Sequence, residues 1–268
     1  MLSDSVIQSL LDGGHVYDLG QPLFSGMPGH ASHPPYIFTL VRRHGDVCRP
    51  NGYSSANDLM VMSGHTGTHL DGLGHISENG RLHGDIDASV DQVGGRGLQT
   101  VGIESVPPIV ARGILLDVAG YRGVDQLAGG SAVSGGELGA VAEAEGVSIQ
   151  SGDVVMIRTG WIRHWDDIVT YRGDQVGCPG PDHGAAVWLA EHGIRATGTD
   201  TIPYECTRPD NPAMPVHMEL IARRGIHILE MVNLEELARD RVYHFLFVVT
   251  PLKIVGGTGS PVRPIAIA

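Results

Sequence analysis

Apolar positions along the chain fall into short segments rather than long helical stretches. Seven segments of four to seven residues are rich in aliphatic and β-branched side chains, and Gly, Pro, Asp or Ser flanks most of them. Segments of this length and composition are typical of β-strands. We therefore predict strands at 36–41, 59–62, 114–118, 154–159, 194–198, 226–231 and 243–249.

Helical patterns lie between some of these predicted strands. Each has a residue that favours a helix start, and most have a glycine that favours a helix end. The clearest start is a Ser-x-x-Glu capping box. We predict helices from Ser134 and Glu137 to about Glu145 before Gly146, from Asp182 to Gly193, from Pro215 to Gly225, and a short one beginning at Asn233–Glu236.

The balance of predicted elements sets the fold class. Strands outnumber helices, and the first 120 residues show almost no helical period after the opening segment. This pattern predicts an α/β or α+β protein with a mixed sheet or a closed barrel. No repeat, low-complexity block or linker divides the chain, so we expect one domain over residues 1–268.

Composition narrows the possible partners and location. The net charge of −12 disfavours binding to nucleic acid or to an anionic membrane surface. No apolar run approaches the length of about 18 residues that a membrane span needs, and we see no export signal at the start. Three widely spaced cysteines do not suggest a disulfide scaffold, so we expect a cytoplasmic protein.

Four candidate metal-binding or catalytic residues lie within eleven positions: His65, His69, Asp71 and His75. The Thr-Gly-Thr sequence between the first two histidines disfavours a helix and favours a strand that follows a tight turn. In extended chain, His69 and Asp71 point to the same side, and Gly67 allows the backbone to fold His65 back towards them. Two imidazoles and one carboxylate suit Zn²⁺ or Mn²⁺ and leave coordination positions open.

Other interpretations of this cluster are open. Single histidines are usually hydrogen-bonded structural residues, and Asp71 could cap a turn. Two histidines and a carboxylate also describe the iron site of non-haem oxygenases, and a binding protein could hold a metal without turnover. A serine hydrolase is not indicated, because the chain has no Gly-x-Ser-x-Gly motif.

The stretch from His65 to His75 resembles the His-x-Gly-Thr-His-x-Asp-x-x-x-His motif of the metal-dependent cyclase superfamily, with all six fixed positions met. That superfamily contains bacterial kynurenine formamidases and isatin hydrolases. Further segments are similar to those of the family, and together they cover most of residues 15–250. These segments are 151–161, 177–193, 196–201 and 217–234.

The resemblance implies a swivelling β/β/α-type domain around a mixed β-barrel, assembled as a homodimer or homotetramer. It implies that His65, His69 and Asp71 bind the metal and that His75 is the catalytic histidine. In the formamidases, the residues that match His217 and Glu230 help to bind a second zinc, with the equivalent of Asp71 bridging. A single manganese is expected in the isatin hydrolases, so one or two ions of Zn²⁺ or Mn²⁺ are implied for this chain.

The residues themselves leave the role of Glu230 open. It ends an apolar predicted strand, so its carboxylate needs a partner. That partner could be a metal, or it could be an arginine such as Arg223 or Arg224. His217 lies on the first turn of a predicted helix.

Two further residues are candidates for substrate binding. Trp161 ends a predicted strand and could provide an aromatic wall, or it could only pack in the core. His33 lies in a proline-rich loop, and resemblance suggests that N-terminal loops shape the substrate pocket in this family. A solvent-exposed turn is the alternative for His33. The family often has a small residue and a proline between the aspartate and the last histidine of the motif, and an aromatic residue just after it. This chain has Gly-Leu-Gly at 72–74 and then Ile76, which leaves the shape of the substrate pocket open.

Together these features predict a metal-dependent hydrolase that cleaves a carbon–nitrogen amide bond in a small or cyclic aromatic amide. Water activated by the metal would attack the carbonyl, and His75 would transfer the proton. The alternative is a cyclase or lactone hydrolase that acts on a polyketide-like or other ring substrate.

Overall fold

The computed structural model describes residues 13–210 and 213–268. Its strands are short, as the segment lengths predict. They are β1 (Val16–Asp18), β2 (Ile37–Arg42), β3 (Asn57–Val61), β4 (His69–Asp71), β5 (Arg81–Leu82), β6 (Ile86–Asp87), β7 (Gln92–Val93), β8 (Gly97–Leu98), β9 (Ile109–Asp117), β10 (Ala132–Val133), β11 (Val154–Arg158), β12 (Gly180–Pro181), β13 (Ala196–Thr199), β14 (His227–Glu230), β15 (His244–Val249), β16 (Gly259–Pro261) and β17 (Ile265–Ile267). All seven predicted strands are confirmed: β9 begins five residues earlier than predicted, and the other strand ends shift by no more than two residues.

Nine strands form one mixed sheet in the order β1-β17-β15-β9-β11-β13-β14-β4-β16. The central strands β9, β11, β13 and β14 are parallel to one another, whereas the outer pairs are antiparallel. The sheet curls into a half-barrel. The expectation of a mixed α/β fold built on a barrel-like mixed sheet is therefore confirmed.

The α-helices in the described residues are also short. They are α1 (Ala88–Asp91), α2 (Val118–Tyr121), α3 (Gly135–Ala144), α4 (Ile168–Tyr171), α5 (His183–Glu191), α6 (Pro215–His217) and α7 (Glu235–Arg239), with 3₁₀ turns at Gly94–Arg96, Ile103–Ser105 and Trp161–His164. Within the described residues, no helix is long and apolar enough to cross a membrane.

The caps predicted for α3 and α5 are confirmed. The Ser134 hydroxyl accepts a hydrogen bond from the Glu137 amide at 3.2 Å, and Asp182 accepts one from the Ala185 amide at 2.8 Å. The second half of the capping box does not form, because the Glu137 carboxylate binds Arg122 instead.

The predicted third helix differs from expectation in its geometry. It begins at Pro215 as predicted, but after one α-helical turn it continues as a π-helix over Met218–Arg223. Within it, the buried Glu219 carboxylate binds both Arg223 and Arg224. These two arginines are thereby held away from Glu230, which removes the alternative of an arginine partner for that carboxylate.

Side chains of the central strands alternate between the two faces of the sheet, and each face carries a core. Leu116 and Ile157 pack against α3 and α5 in one apolar cluster. Leu115 and Met156 point the other way, into a second cluster with Phe247. The sheet is therefore a rigid frame, and the carboxyl ends of its parallel strands lie next to the short strand β4.

Candidate metal centre

The centre is built on β4, which pairs with β14 on one side and with β16 on the other. Glu230 lies opposite His69, and Gly259 lies opposite Asp71. Gly67 has a φ of +61°, so the turn before β4 brings His65 back over the strand, as the sequence predicts. A side chain at Gly259 would collide with the His65 ring, so this close approach requires a glycine.

Two overlapping sets of buried side chains can each hold a metal ion. The first is His65, His69 and Asp71, and the second is Asp71, His217 and Glu230. Within each set, the potential ligand atoms all lie within 4.8 Å of one another. Asp71 belongs to both sets, so its carboxylate is placed to bridge two ions.

Short contacts join the two sets. His65 Nδ1 lies 2.7 Å from Asp71 Oδ1, and His69 Nε2 lies 3.5 Å from the same oxygen and 3.3 Å from Glu230 Oε2. His217 Nε2 lies 3.2 Å from Glu230 Oε1 and 3.7 Å from Asp71 Oδ2. The structure therefore brings together His65, His69 and Asp71 with the two residues that the resemblance alone implied as metal ligands, His217 and Glu230.

Hydrogen bonds on the outer side orient the imidazoles. His69 Nδ1 donates to the Gly67 carbonyl at 2.7 Å, which leaves Nε2 facing the cluster. His217 Nδ1 contacts Glu205 at 2.7 Å, and His65 Nε2 contacts the Thr258 hydroxyl at 2.9 Å. Partners of this kind fix the tautomer and the direction of metal-binding histidines.

The buried carboxylates of the cluster favour the protonated forms of two of its histidines. Burial opposes protonation of His69, but hydrogen bonds to Asp71 and Glu230 outweigh it and raise its pKa to about 10. His217 behaves in the same way, because Glu205 and Glu230 overcome the effect of burial and raise its pKa to about 10. A bound cation would replace these protons as the charge that compensates the buried carboxylates.

One observation tests directly whether the residues fit a metal. Asp71 Oδ2 is buried and has no hydrogen-bond partner among the described residues. Such an atom is costly unless an ion or an ordered water satisfies it. Since Oδ2 faces His217 and Oδ1 faces His65 and His69, the donor set fits a borderline-soft divalent ion that accepts both nitrogen and oxygen ligands.

His75 stands beside the cluster without belonging to either set. Its ring centre is 4.1 Å from that of His65 and 6.5 Å from that of His217. Burial lowers the pKa of His75 to about 4, against the attraction of the Asp71 carboxylate. The imidazole is therefore neutral near pH 7 and able to accept a proton.

A cavity of about 590 Å³ opens over the centre. His75 and His33 both line it, and the His33 ring lies 5.2 Å from the His65 ring. Trp161 is not among its lining residues. The structure instead buries Trp161 in an apolar cluster, where its indole donates to the Tyr171 carbonyl at 2.9 Å.

Several contributing residues were not predicted from the sequence. Glu205 and Thr258 orient two of the histidines but lie far from the motif. Glu205 follows the family-like segment 196–201 closely, and its acidic charge in an otherwise apolar and small-residue stretch is the one signal that could have pointed to it. Thr258 lies in a glycine-rich segment and carries no such signal.

Substitution Glu205→Gln is expected to weaken metal binding by about 10- to 100-fold. The carboxylate accepts hydrogen bonds from the His217 ring and from the backbone amides of Val216 and His217, so its charge both orients His217 and increases its basicity. Competition with a chelator of known affinity measures the change. A matched control is Glu236→Gln, which alters a half-exposed carboxylate that pairs with surface Arg239. Equal affinities for both variants would contradict the orienting role.

Comparison with known proteins gives consistent matches. The family described as Cyclase, putative cyclase, matches residues 17–205. A kynurenine formamidase of Bacillus cereus is 24% identical over 253 residues, which cover 92% of this chain and 95% of that protein. An isatin hydrolase of Roseibium aggregatum is 30% identical over 130 residues, 47% of this chain and 48% of that protein. A crystal structure described as a novel cyclase superimposes with a TM-score of 0.87 at 25% identity, covering 100% of this chain and 94% of the other.

Proposed function

Since the chain belongs to the cyclase family, we propose that it is a metal-dependent hydrolase that cleaves the carbon–nitrogen bond of a small or cyclic aromatic amide. Membership confirms the resemblance drawn from the motif at residues 65–75. The observation that carries the proposal is the pair of ligand sets that share Asp71, with a neutral His75 beside them at the floor of a cavity. The named relatives are a formamidase and an isatin hydrolase, both amide-cleaving enzymes.

The chain holds Zn²⁺ or Mn²⁺ in this proposal, through His65, His69 and Asp71 and, for a second ion, through Asp71, His217 and Glu230. When bound, such an ion supplies Lewis acidity and lowers the pKa of a coordinated water. His75 accepts the proton of the attacking water and later donates it to the leaving nitrogen. The buried carboxylates stay charged and keep the imidazoles in their binding tautomers.

Metal analysis together with a hydrolysis assay tests the proposal. Purified protein would be analysed for bound metals, stripped with a chelator, reloaded with Zn²⁺ or Mn²⁺, and assayed on N-formylkynurenine and isatin. We expect one or two ions per chain and amide cleavage that depends on reloading. Metal without cleavage of either amide, combined with turnover of lactones, would favour the cyclase or lactone alternative. Absence of metal after reloading would contradict the proposal.

We also propose that the chain forms a homodimer, or a homotetramer built from such dimers, through the hairpin β2–β3. Seven apolar side chains on this hairpin are 44–57% exposed, and they occupy both of its faces. An isolated two-stranded hairpin is marginally stable in water, and an exposed apolar patch of this kind is typical of an interface. These side chains are Ile37, Phe38, Leu40, Val41, Leu59, Met60 and Val61.

Sedimentation of the variant Leu40→Asp/Leu59→Asp tests this assembly. We expect the wild type to sediment as a dimer or tetramer and the variant as a 28.4 kDa monomer, because a buried unpaired carboxylate is costly at an apolar interface. A wild type that is monomeric at micromolar concentration would overturn the proposal. Variant Val90→Asp, at another exposed apolar residue, is the control and should keep the wild-type mass.

For location, we propose the cytoplasm. The support is that Cys48, Cys178 and Cys206 are all free thiols. Fractionation of expressing cells followed by immunoblotting tests this assignment.

A further inference from the structure

Two arginines line the same cavity as the metal-binding residues. Arg172 and Arg208 both contribute to its wall, together with apolar side chains such as Ile76, Ile202 and Met214. The cavity thus has polar groups of two kinds, metal-binding donors and guanidinium groups. A ligand that fills it meets cationic groups as well as the metal centre.

Both arginines follow backbone segments that buried side chains or hydrogen bonds hold in place. Arg172 follows the fully buried Tyr171, whose hydroxyl donates to the Asp200 carbonyl at 2.8 Å. The segment that carries Arg208 is tied to the loop after Arg172, because the Thr207 amide donates to the Cys178 carbonyl at 3.1 Å and the Cys178 amide donates to the Thr207 hydroxyl at 3.0 Å. The two side chains therefore project from segments that are fixed to each other.

Their charges are only partly compensated. Arg172 pairs with Asp174 at 3.3 Å. Among the residues that the structure describes, no carboxylate lies within salt-bridge distance of Arg208. Arg172, Arg208 and Asp174 together carry one net positive charge, and Glu230, which also lines the cavity, pairs with His69 and His217 instead. In a protein whose net charge is −12, such a local excess at a cavity wall favours an anionic ligand group.

We propose that the substrates of this cavity carry a carboxylate, which Arg208 binds with support from Arg172. The inference rests on the proposed amide hydrolase function and names the substrate class for it. A guanidinium presents two parallel N–H donors to a carboxylate, which makes this pairing both strong and orienting. The scissile amide then faces the metal centre, and an aromatic or aliphatic spacer contacts the apolar wall.

A matched pair of substrates tests the inference: N-formylanthranilate and its uncharged methyl ester. For the variant Arg208→Met we expect kcat/KM on the acid to fall by roughly 10- to 100-fold, mainly through KM, because charge-assisted hydrogen bonds are lost. Turnover of the ester should stay within about twofold of wild type. Arg208→Lys should restore part of the loss, and Arg239→Met, at an exposed surface arginine, should resemble wild type on both substrates.

The outcomes separate this inference from the proposed function. Suppose that wild type cleaves both substrates. If Arg208→Met then lowers kcat/KM equally for both substrates, or for neither, the carboxylate site is wrong and the proposed hydrolase function is unaffected. If wild type cleaves neither, the hydrolase proposal is in question, and calorimetry with anthranilate and methyl anthranilate then tests the site alone. Preferential binding of anthranilate that Arg208→Met abolishes would support the site, and equal binding of the two would overturn it.

Discussion

Substitution Asp71→Asn is expected to abolish tight metal binding and to reduce amide turnover by at least about 10³-fold. Asp71 is the one residue common to both ligand sets, and its two oxygens face different histidines. An amide has nearly the same shape but no charge, and it coordinates metals weakly. The change therefore affects both candidate ion sites at once, whereas a change at His65 or His217 affects one.

Metal content by elemental analysis and turnover after reloading measure this effect together. The fold must be checked in parallel by circular dichroism and thermal unfolding, because the loss of a buried charge leaves the cations around it uncompensated. Asp87→Asn is the control: Asp87 caps a short helix at the surface and lies outside the centre. A folded Asp71→Asn protein that retains its metal and its turnover would rule out the bridging role.

The sequence was most informative where the chemistry is local. His65, His69, Asp71 and His75 lie within eleven residues, and the strand and turn that place them follow from Gly67 and from β-branched neighbours. Local sequence signals are therefore sufficient to predict that these four side chains lie close together. The strands of the sheet and the caps of α3 and α5 follow equally from local signals, namely apolar runs and Ser or Asp before a helix.

The rest of the metal centre depends on contacts between segments that are distant in sequence, and these could not be derived from the residues alone. Glu230 meets His69 because β14 pairs with β4, and the register of two distant strands is not encoded in either one. The choice between a metal and an arginine as its partner depended on Glu219, which binds Arg223 and Arg224 through the geometry of a π-helix. The family resemblance indicated His217 and Glu230 as ligands. The structure shows why no arginine occupies the Glu230 carboxylate: Glu219 binds both candidates.

Trp161 illustrates a second limit. Its predicted position at the end of a strand was compatible with either a cavity wall or the core, whereas in the structure β11 ends at Arg158 and Trp161 begins a 3₁₀ turn. In the structure its indole finds a hydrogen-bond partner in the buried Tyr171 carbonyl. Tyr171 in turn precedes Arg172, which lines the cavity, so the Trp161 indole anchors backbone next to the cavity wall.

Substitution His75→Gln is expected to lower kcat by about 10²- to 10⁴-fold while metal content stays unchanged. His75 belongs to neither ligand set, so its loss leaves the candidate ion sites intact. Its imidazole is neutral near pH 7 and therefore has a ring nitrogen without a proton, and glutamine keeps some of the volume and hydrogen-bonding capacity without that nitrogen. Elemental analysis and steady-state kinetics on the same preparation separate the two quantities.

His33→Gln provides the matched comparison, because His33 lines the same cavity next to His65 but is assigned to substrate binding. It should raise KM with a small effect on kcat, whereas His75→Gln should act on kcat. If His75→Gln loses its metal as well, His75 is a ligand and the proton must pass through another group. If it keeps both metal and kcat, the proton transfer proposed for His75 is wrong, although the metal centre beneath it would remain. Only the combination of retained metal and lost turnover assigns His75 the acid–base role, because it separates binding of the ion from the chemistry beside it.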